Sequence, residues 1–166
     1  MAYVGPVLLT NEHVLAGFDC EKPTLNDWLT KRALANQGTG ASRTWVVTDG
    51  QSGQNNRVVG FYASCTAAVL REQAPKYMAR DQPEQLPALL LARMAVDAKH
   101  KGNGLGAALL KHFMQIALQV SQQVGVRLVL VHAKDEEARS FYSHYGFEQS
   151  PVDDLTLMML CPIVGN

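Results

Sequence analysis

The chain has 166 residues, enough for one domain that buries a hydrophobic core without disulfides or metals. Its 15 basic and 15 acidic residues give a formal net charge of zero, which excludes binding of nucleic acid through bulk charge and leaves only a local patch for RNA. No apolar run approaches the ~20 residues that span a bilayer, and the first residues lack the pattern of a signal peptide. We expect one cytoplasmic domain over residues 1–166, with no membrane contact.

The three cysteines are too widely spaced to form a metal or redox motif. Cys20, Cys65 and Cys161 are an odd number, and no CxxC pair occurs among them. This pattern argues against a zinc site and against a disulfide framework. We expect three reduced, mostly buried thiols and no bound metal.

The N-terminal part of the chain predicts a helix. Thr24 is a candidate N-cap, and the residues Leu25, Trp28 and Leu29 follow it at helical spacing. The glycine-rich residues 37–42 predict a loop after the helix.

A β-hairpin follows this helix in the prediction. Residues 43–48 and 57–66 predict paired strands, and the polar residues 49–56 predict the longer type of hairpin connection between them. Residues 71–88 contain three prolines and several charges, which indicates a connecting segment with room for a short helix.

The second half of the chain alternates between strands and helices. Residues 89–96 are an apolar run interrupted by Arg93, short enough to favour a central strand. Residues 104–122 carry a broad apolar face typical of a helix packed on a sheet, and residues 127–132 predict another buried strand.

The last predicted elements are a capped helix and a strand. Asp135 is a candidate N-cap, Gly146 a candidate helix terminator, and residues 156–160 a final strand. The order αβββαβαβ predicts an α/β fold in which helices flank a mixed central sheet.

A glycine-rich turn joins the strand at 89–96 to the long helix. Glycines let the backbone approach a phosphate closely, and the free N–H groups of the first helical turn point at it. Lys99, His100 and Lys101 add positive charge around Gly102-Asn103-Gly104-Leu105-Gly106. The turn is not a P-loop, because no Lys-Ser or Lys-Thr follows the glycines, and its spacing differs from the Rossmann fingerprint. We interpret it as an anion cradle.

Together with a second motif, this turn resembles the GNAT acetyltransferase superfamily. The family turn is Arg/Gln-x-x-Gly-x-Gly/Ala, and residues 101–106 fit it with Lys101 in the first position. The family's later helix carries Ala-x-x-(Phe/Leu)-Tyr followed by Gly-Phe, as Ala138 to Phe147 does here. The resemblance covers residues 43–160 and implies the GNAT fold.

The resemblance implies acetyl-CoA as the cofactor and a role for each motif. Tyr142 would give a proton or hydrogen bond to the leaving thiolate, with Tyr145 as the lower-ranked alternative. The thioester would lie between residues 89–96 and 127–132. Backbone groups of the strand would pair with the pantetheine arm, and those of the turn would hold the pyrophosphate. The implied cofactor-binding residues are Met94, Ala95, Val96, Lys101, Gly102, Asn103, Gly104, Leu105, Gly106 and Ala107.

The first half of the chain is similar to one branch of this family, the GNAT toxins of bacterial toxin–antitoxin modules. The similarity rests on residues 18–33, 43–47 and 90–97. It implies acetylation of the α-amino group of aminoacyl-tRNA, a block of translation, a ribbon-helix-helix antitoxin as partner, contact with DNA only through that antitoxin, and a homodimer. Two alternatives stay open: a GNAT enzyme for small amines or protein N-termini, and a non-catalytic acyl-CoA-binding module.

Candidate residues for the acceptor substrate follow from charge alone. Glu72, Glu84 and His132 are possible general bases, but no motif supports any of them. A tRNA ligand requires positive surface, and Arg93 is the strongest candidate, because a charge within an apolar strand needs a partner or a ligand. The candidate RNA contacts are Arg93, Lys31, Arg32, Lys76 and Arg80, with Lys22 and Arg43 near the first helix.

Overall fold

The computed structural model describes residues 3–50 and 56–162. Within these ranges the chain forms strands β1–β7 and helices α1–α5. The strands are β1 Tyr3–Leu8, β2 Arg43–Asp49, β3 Val58–Leu70, β4 Gln85–Val96, β5 Leu128–His132, β6 Glu148–Ser150 and β7 Asp153–Leu160. The helices are α1 Pro23–Lys31, α2 Ala33–Thr39, α3 Lys76–Ala79, α4 Leu105–Ser121 and α5 Glu136–His144.

The strands form one seven-stranded sheet in the order β1-β2-β3-β4-β5-β7-β6. β4 and β5 pair in parallel, whereas β1 with β2, β2 with β3, β5 with β7, and β6 with β7 pair antiparallel. The mixed sheet flanked by helices that the sequence predicts is therefore confirmed. None of the helices within the described ranges is long and apolar enough to cross a membrane.

The chain divides into two compact units. Unit 1 takes the described residues up to Cys65 together with Arg93–Phe113, and unit 2 takes Thr66–Ala92 and the described residues from Met114 onward. β3, β4 and α4 each contribute residues to both units.

Three aromatic side chains pack together in the core of unit 1. Phe61 of β3 is fully buried, with the Trp28 ring stacked at 6.1 Å and the Phe18 ring edge-on at 5.6 Å. This contact attaches α1 to the sheet, and aromatic pairs of this kind stabilise a core beyond the area they bury. The other buried members include Leu9, Leu25, Leu29, Val46 and Val58.

Unit 2 has an aliphatic core beneath α3. Met78 is fully buried beside Leu86, Leu128 and Met158. The Nε of Arg127 donates to the carbonyl of Met78 at 3.1 Å, which satisfies a carbonyl in the short helix α3. This segment was expected to be a connection with a short helix, and α3 confirms that expectation.

Two predictions are wrong, one for the cap of the first helix and one for the segment after it. α1 begins at Pro23, with Lys22 as the N-cap, so Thr24 is not the cap. Proline is favoured at the first helical position because the missing N–H has no intrahelical partner there. Residues 37–42 are also not all loop, since α2 runs to Thr39 and ends at Gly40 in the left-handed region, φ +86°.

Tertiary hydrogen bonds explain why the glycine-rich segment is helical. The Gln37 side chain donates to the carbonyl of Leu9 at 2.8 Å and accepts from the N–H of Thr44 at 3.0 Å. These bonds fix the last turn of α2 against two other segments of unit 1. Local propensity gives no indication of such contacts.

The remaining differences concern strand lengths and edges. The sequence analysis did not predict β1 or β6, the strands at the two ends of the sheet order. β3, β4 and β7 are longer than expected, and the predicted connection 49–56 has residues 51–55 outside the described ranges. α4 is confirmed. Asp135 caps α5 by accepting from the N–H of Ala138 at 2.9 Å, also as predicted.

Candidate active site

The predicted anion cradle is an exposed turn between β4 and α4. After a single 3-10 turn at Ala98–His100, residues Lys101 to Gly104 are all exposed. Gly102 and Gly104 have φ values of +83° and +78°, a conformation that other residues rarely adopt. A Cβ placed on either glycine would meet no atom within 4 Å. The space in front of the turn is thus open, as a backbone cradle for a ligand requires.

The first turn of α4 presents backbone donors beside these glycines. The N–H of Ala108 donates to the carbonyl of Gly104 at 3.0 Å, the first hydrogen bond of the helix. The N–H groups of Leu105, Gly106 and Ala107 precede this pattern, so the helix itself does not use them. Together with the helix dipole, they give the turn its capacity to bind an anion.

Asp97, a buried carboxylate, fixes the segment that leads into the turn. Asp97 is 4% exposed, and its two oxygens accept from the N–H of Lys99 at 2.9 Å and of Asp19 at 3.0 Å. The backbone also pairs here, since the N–H of Ala98 donates to the carbonyl of Asp19 at 2.8 Å. Charge-assisted bonds of this kind are short and strong. These hydrogen bonds therefore fix the backbone at the point where the glycine turn begins.

The positive charge predicted around the turn is partly offset by acidic neighbours. Lys101 Nζ lies 3.6 Å from a carboxylate oxygen of Glu21, and both side chains are largely exposed. His100 Nε2 lies 3.9 Å from Asp49. The exposed pair of Lys101 and Glu21 contributes little stability, whereas His100 and Asp49 are only partly exposed. Acidic side chains thus lie beside two of the three basic residues around the turn.

The end of β4 supplies the predicted pantetheine-binding residues. The pairs between β4 and β5 run from Ala88–Leu128 to Leu91–Val131, and β4 continues to Val96 beyond the last of these pairs. A strand whose backbone lacks a neighbour on one side can pair with an extended ligand. Met94 and Val96 are half-buried and Ala95 is buried in this stretch.

Tyr142 and Tyr145 have different surroundings on α5. Tyr142 is 7% exposed, and its ring packs edge-on against Phe141 at 5.2 Å and Phe147 at 5.7 Å. Burial raises the pKa of Tyr142 well above its ordinary range, so the phenol keeps its proton even in alkaline solution. Tyr145 is 44% exposed. A buried, protonated phenol is suited to donate a proton.

Arg93 has an aromatic partner in unit 1. Its guanidinium carbon lies 4.4 Å from the centre of the Trp28 ring, a cation–π contact. Burial lowers the pKa of Arg93, and the nearby Cys65 raises it. The sequence analysis predicted a partner or ligand for this charge but did not identify Trp28. The sequence pointed to Trp28 as the partner of Arg93 only through its position on the apolar face of α1.

A cleft of about 730 Å³ in unit 2 brings several other candidates together. Lys76 and Arg80 from the predicted RNA contacts lie in it, joined by Arg71, which the sequence analysis missed. Two of the candidate bases, Glu72 and Glu84, also line it. The remaining lining residues are Ala74, Pro75, Ala79 and Pro151.

The other predicted residues lie outside this cleft. Lys31 pairs with Asp27 at 3.8 Å on the exposed side of α1, and Arg32 is exposed between α1 and α2. Arg43 donates to the carbonyl of Gln37 at 3.3 Å. The ring of His132, the third candidate base, is oriented by a 3.2 Å contact between its Nδ1 and the hydroxyl of Thr156.

Comparison with known proteins identifies the family. Residues 40–149 match the model of the acetyltransferase (GNAT) domain. The chain is 41% identical to a tRNA-acetylating toxin of Mycobacterium tuberculosis over 95% of this chain and 92% of that protein. The chain belongs to the GNAT acetyltransferase family, which confirms the resemblance inferred from its motifs.

Two solved structures have the same fold. One is the toxin AtaT complexed with acetyl-methionyl-tRNAfMet, with a TM-score of 0.85, 26% identity and coverage of 93% of this chain and 92% of that chain. The other is a tyrosine-to-phenylalanine mutant of AtaT bound to the C-terminus of the antitoxin AtaR, with a TM-score of 0.80, 25% identity and coverage of 93% and 91%.

Proposed function

We propose that this protein transfers the acetyl group of acetyl-CoA to the α-amino group of aminoacyl-tRNA and thereby blocks translation as the toxin of a toxin–antitoxin pair. The observation that carries the proposal is the 41% identity, over nearly the whole chain, to a protein that acetylates tRNA. The open glycine turn supports it, because a backbone cradle of this form suits a pyrophosphate. In this proposal residues 1–166 act as one acetyltransferase domain.

The residues around the turn fit acetyl-CoA. The N–H groups from Gly102 to Ala107 would hold the pyrophosphate, with Lys101 at the edge of the turn. The backbone of Met94, Ala95 and Val96 would pair with the pantetheine arm. When bound, acetyl-CoA supplies the acetyl thioester, whose C–S bond breaks as a new C–N bond forms.

The protein's own residues would position the two substrates, polarise the thioester carbonyl and donate one proton to the leaving sulfur. Tyr142 gives its phenolic proton to the departing sulfur and regains one from solvent. The backbone N–H of Val96 polarises the carbonyl oxygen, which stabilises the negative charge that develops there. An α-amine has a pKa of ~7.7–8.0, so a useful share is neutral near pH 7.5, and the attacking nitrogen would lose its extra proton to water as the amide forms. No side-chain base is required.

The partners follow from the same relatives. AtaT is bound to the C-terminus of an antitoxin in one solved structure. We propose a ribbon-helix-helix antitoxin as the partner here, with DNA bound only through it. We also propose a homodimer, located in the cytoplasm where charged tRNA and acetyl-CoA are both present.

Acetyl transfer to charged tRNA is the direct test of this function. Labelled acetyl-CoA, incubated with the protein and a pool of charged tRNA, should yield label on the tRNA that mild alkali releases together with the amino acid. Uncharged tRNA, polyamines and a peptide with a free N-terminus are run in parallel. Label on the polyamines or the peptide, with none on charged tRNA, would replace this proposal with a small-amine or N-terminal acetyltransferase. No transfer to any acceptor would favour a binding module.

The glycine turn can be tested with a matched pair of variants. Gly104→Leu places a side chain in front of the turn and should weaken acetyl-CoA binding by at least about tenfold, or ~1.4 kcal/mol, in calorimetry. Gly40→Leu is the control, because Gly40 has a similar φ of +86° and equally open surroundings but lies at the end of α2. Both variants carry the same backbone strain. Equal affinities in the two would show that the cradle lies elsewhere.

Tyr142→Phe tests the proton donor. We expect kcat to fall by about 100-fold or more while the acetyl-CoA affinity is unchanged, because only the hydroxyl is removed. Since the raised pKa keeps Tyr142 protonated, the wild-type kcat should not decline up to about pH 9. Tyr145→Phe is the control on the same helix. If it lost the activity and Tyr142→Phe kept it, the assignment would be reversed.

The cleft of unit 2 is the proposed RNA-binding surface. Lys76→Ala and Arg80→Ala should each raise the KM for charged tRNA and flatten the dependence of log affinity on log salt by about one unit. The KM for acetyl-CoA should not change. Lys111→Ala, an exposed lysine on α4, is the control. An unchanged salt slope in the cleft variants would place the RNA on another surface.

A further inference from the structure

The hydroxyl of Tyr3 is hydrogen-bonded to the glycine turn, although the two lie far apart in sequence. Tyr3 Oη lies 2.9 Å from Nδ1 of His100 and 3.1 Å from Nδ2 of Asn103. The Tyr3 ring also packs edge-on against the His100 ring, with centroids 5.7 Å apart. All three residues belong to unit 1. The edge strand β1 thus reaches the turn through one side chain.

The hydrogen-bond roles in this cluster are mutually consistent. The amide of Asn103 has two N–H groups, and its nitrogen donates to Tyr3 Oη and to the carbonyl of His100 at 3.1 Å. Because Tyr3 Oη accepts from Asn103, its own proton is available to donate to Nδ1 of His100. His100 then carries its hydrogen on Nε2, which faces Asp49 at 3.9 Å. Each group has a complementary partner.

Asn103 offers a side chain through which Tyr3 can fix the turn. It lies between Gly102 and Gly104, which both have positive φ and no side chain. Glycines of this kind give the turn its shape, but they leave its backbone with many accessible conformations. A hydrogen bond to the intervening side chain selects one of them before a ligand arrives, and such preorganisation increases affinity.

We infer that Tyr3 is a positioning residue for acetyl-CoA: through Asn103 and His100 it holds the glycine turn in the conformation that receives the pyrophosphate. The inference rests on the proposed function, because it requires the turn to be the cofactor cradle. Tyr3 acts through the turn and does not itself contact the reacting atoms.

Tyr3→Phe removes the hydroxyl and keeps the ring contact with His100. We expect the Kd and KM for acetyl-CoA to rise by about five- to tenfold, because the variant loses the hydrogen bonds of the Tyr3 hydroxyl to Asn103 and His100. The kcat, the KM for charged tRNA and the melting temperature should stay near the wild-type values. Tyr77→Phe is the control, since it removes another tyrosine hydroxyl whose partner is Glu148 in unit 2.

Two further measurements separate positioning from general stability. Acetyl-pantetheine has the thioester but no pyrophosphate, so its kcat/KM should be the same for Tyr3→Phe and the wild type. Asn103→Ala should raise the Kd for acetyl-CoA by at least a similar factor, because it also removes the bond to the His100 carbonyl. The double variant should lose less than the product of the two single effects, because the hydrogen bond between Tyr3 and Asn103 is common to both.

The possible results are distinguishable. An unchanged Kd in Tyr3→Phe, or an equal loss with acetyl-pantetheine, would overturn the inference while leaving the cradle intact. If Gly104→Leu bound acetyl-CoA normally, the proposed cradle itself would fail, and the role of Tyr3 with it. A several-fold rise confined to acetyl-CoA, with non-additive variants and unchanged melting, would establish the positioning role.

Discussion

The left-handed backbone at Gly102 and Gly104 is the constraint on which the proposed cofactor site depends. A turn that binds an anion through its own N–H groups cannot carry side chains at these positions, so it cannot stabilise itself by packing. It has to be held from outside. Asp97 holds the entry to the turn by two charge-assisted bonds, and α4 holds its exit.

These supports come from distant parts of the chain. Asp19, which pairs with the Asp97 segment, precedes α1, and Tyr3 lies on β1. The contact between Trp28 and Phe61 in turn attaches helix α1 to the sheet. Trp28 also makes a cation–π contact with Arg93. The N-terminal quarter of the chain therefore serves the turn even though it precedes the family's two motifs.

Features of the fold that depend on local pattern could be predicted from the sequence. The amphipathic face of α4, the cap at Asp135 and the apolar run of β4 all follow from spacing within a few residues. Features that depend on distant partners could not. The last turn of α2 is fixed by the hydrogen bonds of Gln37 to Leu9 and Thr44, which cannot be predicted from the residues next to Gln37 in the sequence. β1 has no regular alternation of buried and exposed residues, so periodicity did not reveal it.

The candidate site shows the same division. The glycine turn and Tyr142 could be proposed as site residues because each belongs to a short motif with fixed spacing. Arg71 was missed because a surface arginine has no pattern of its own until the fold places it beside Lys76 and Arg80. In the proposed function this matters, because a chain of zero net charge must attract RNA locally.

Glu72 and Glu84 line the same cleft, and carboxylates there would repel phosphates that approach in the wrong register. In the proposed function, a mixed cleft of this kind would bind RNA in general less tightly and discriminate better between bound geometries. An enzyme that must act on one end of a tRNA has more use for that discrimination than for a uniformly basic surface.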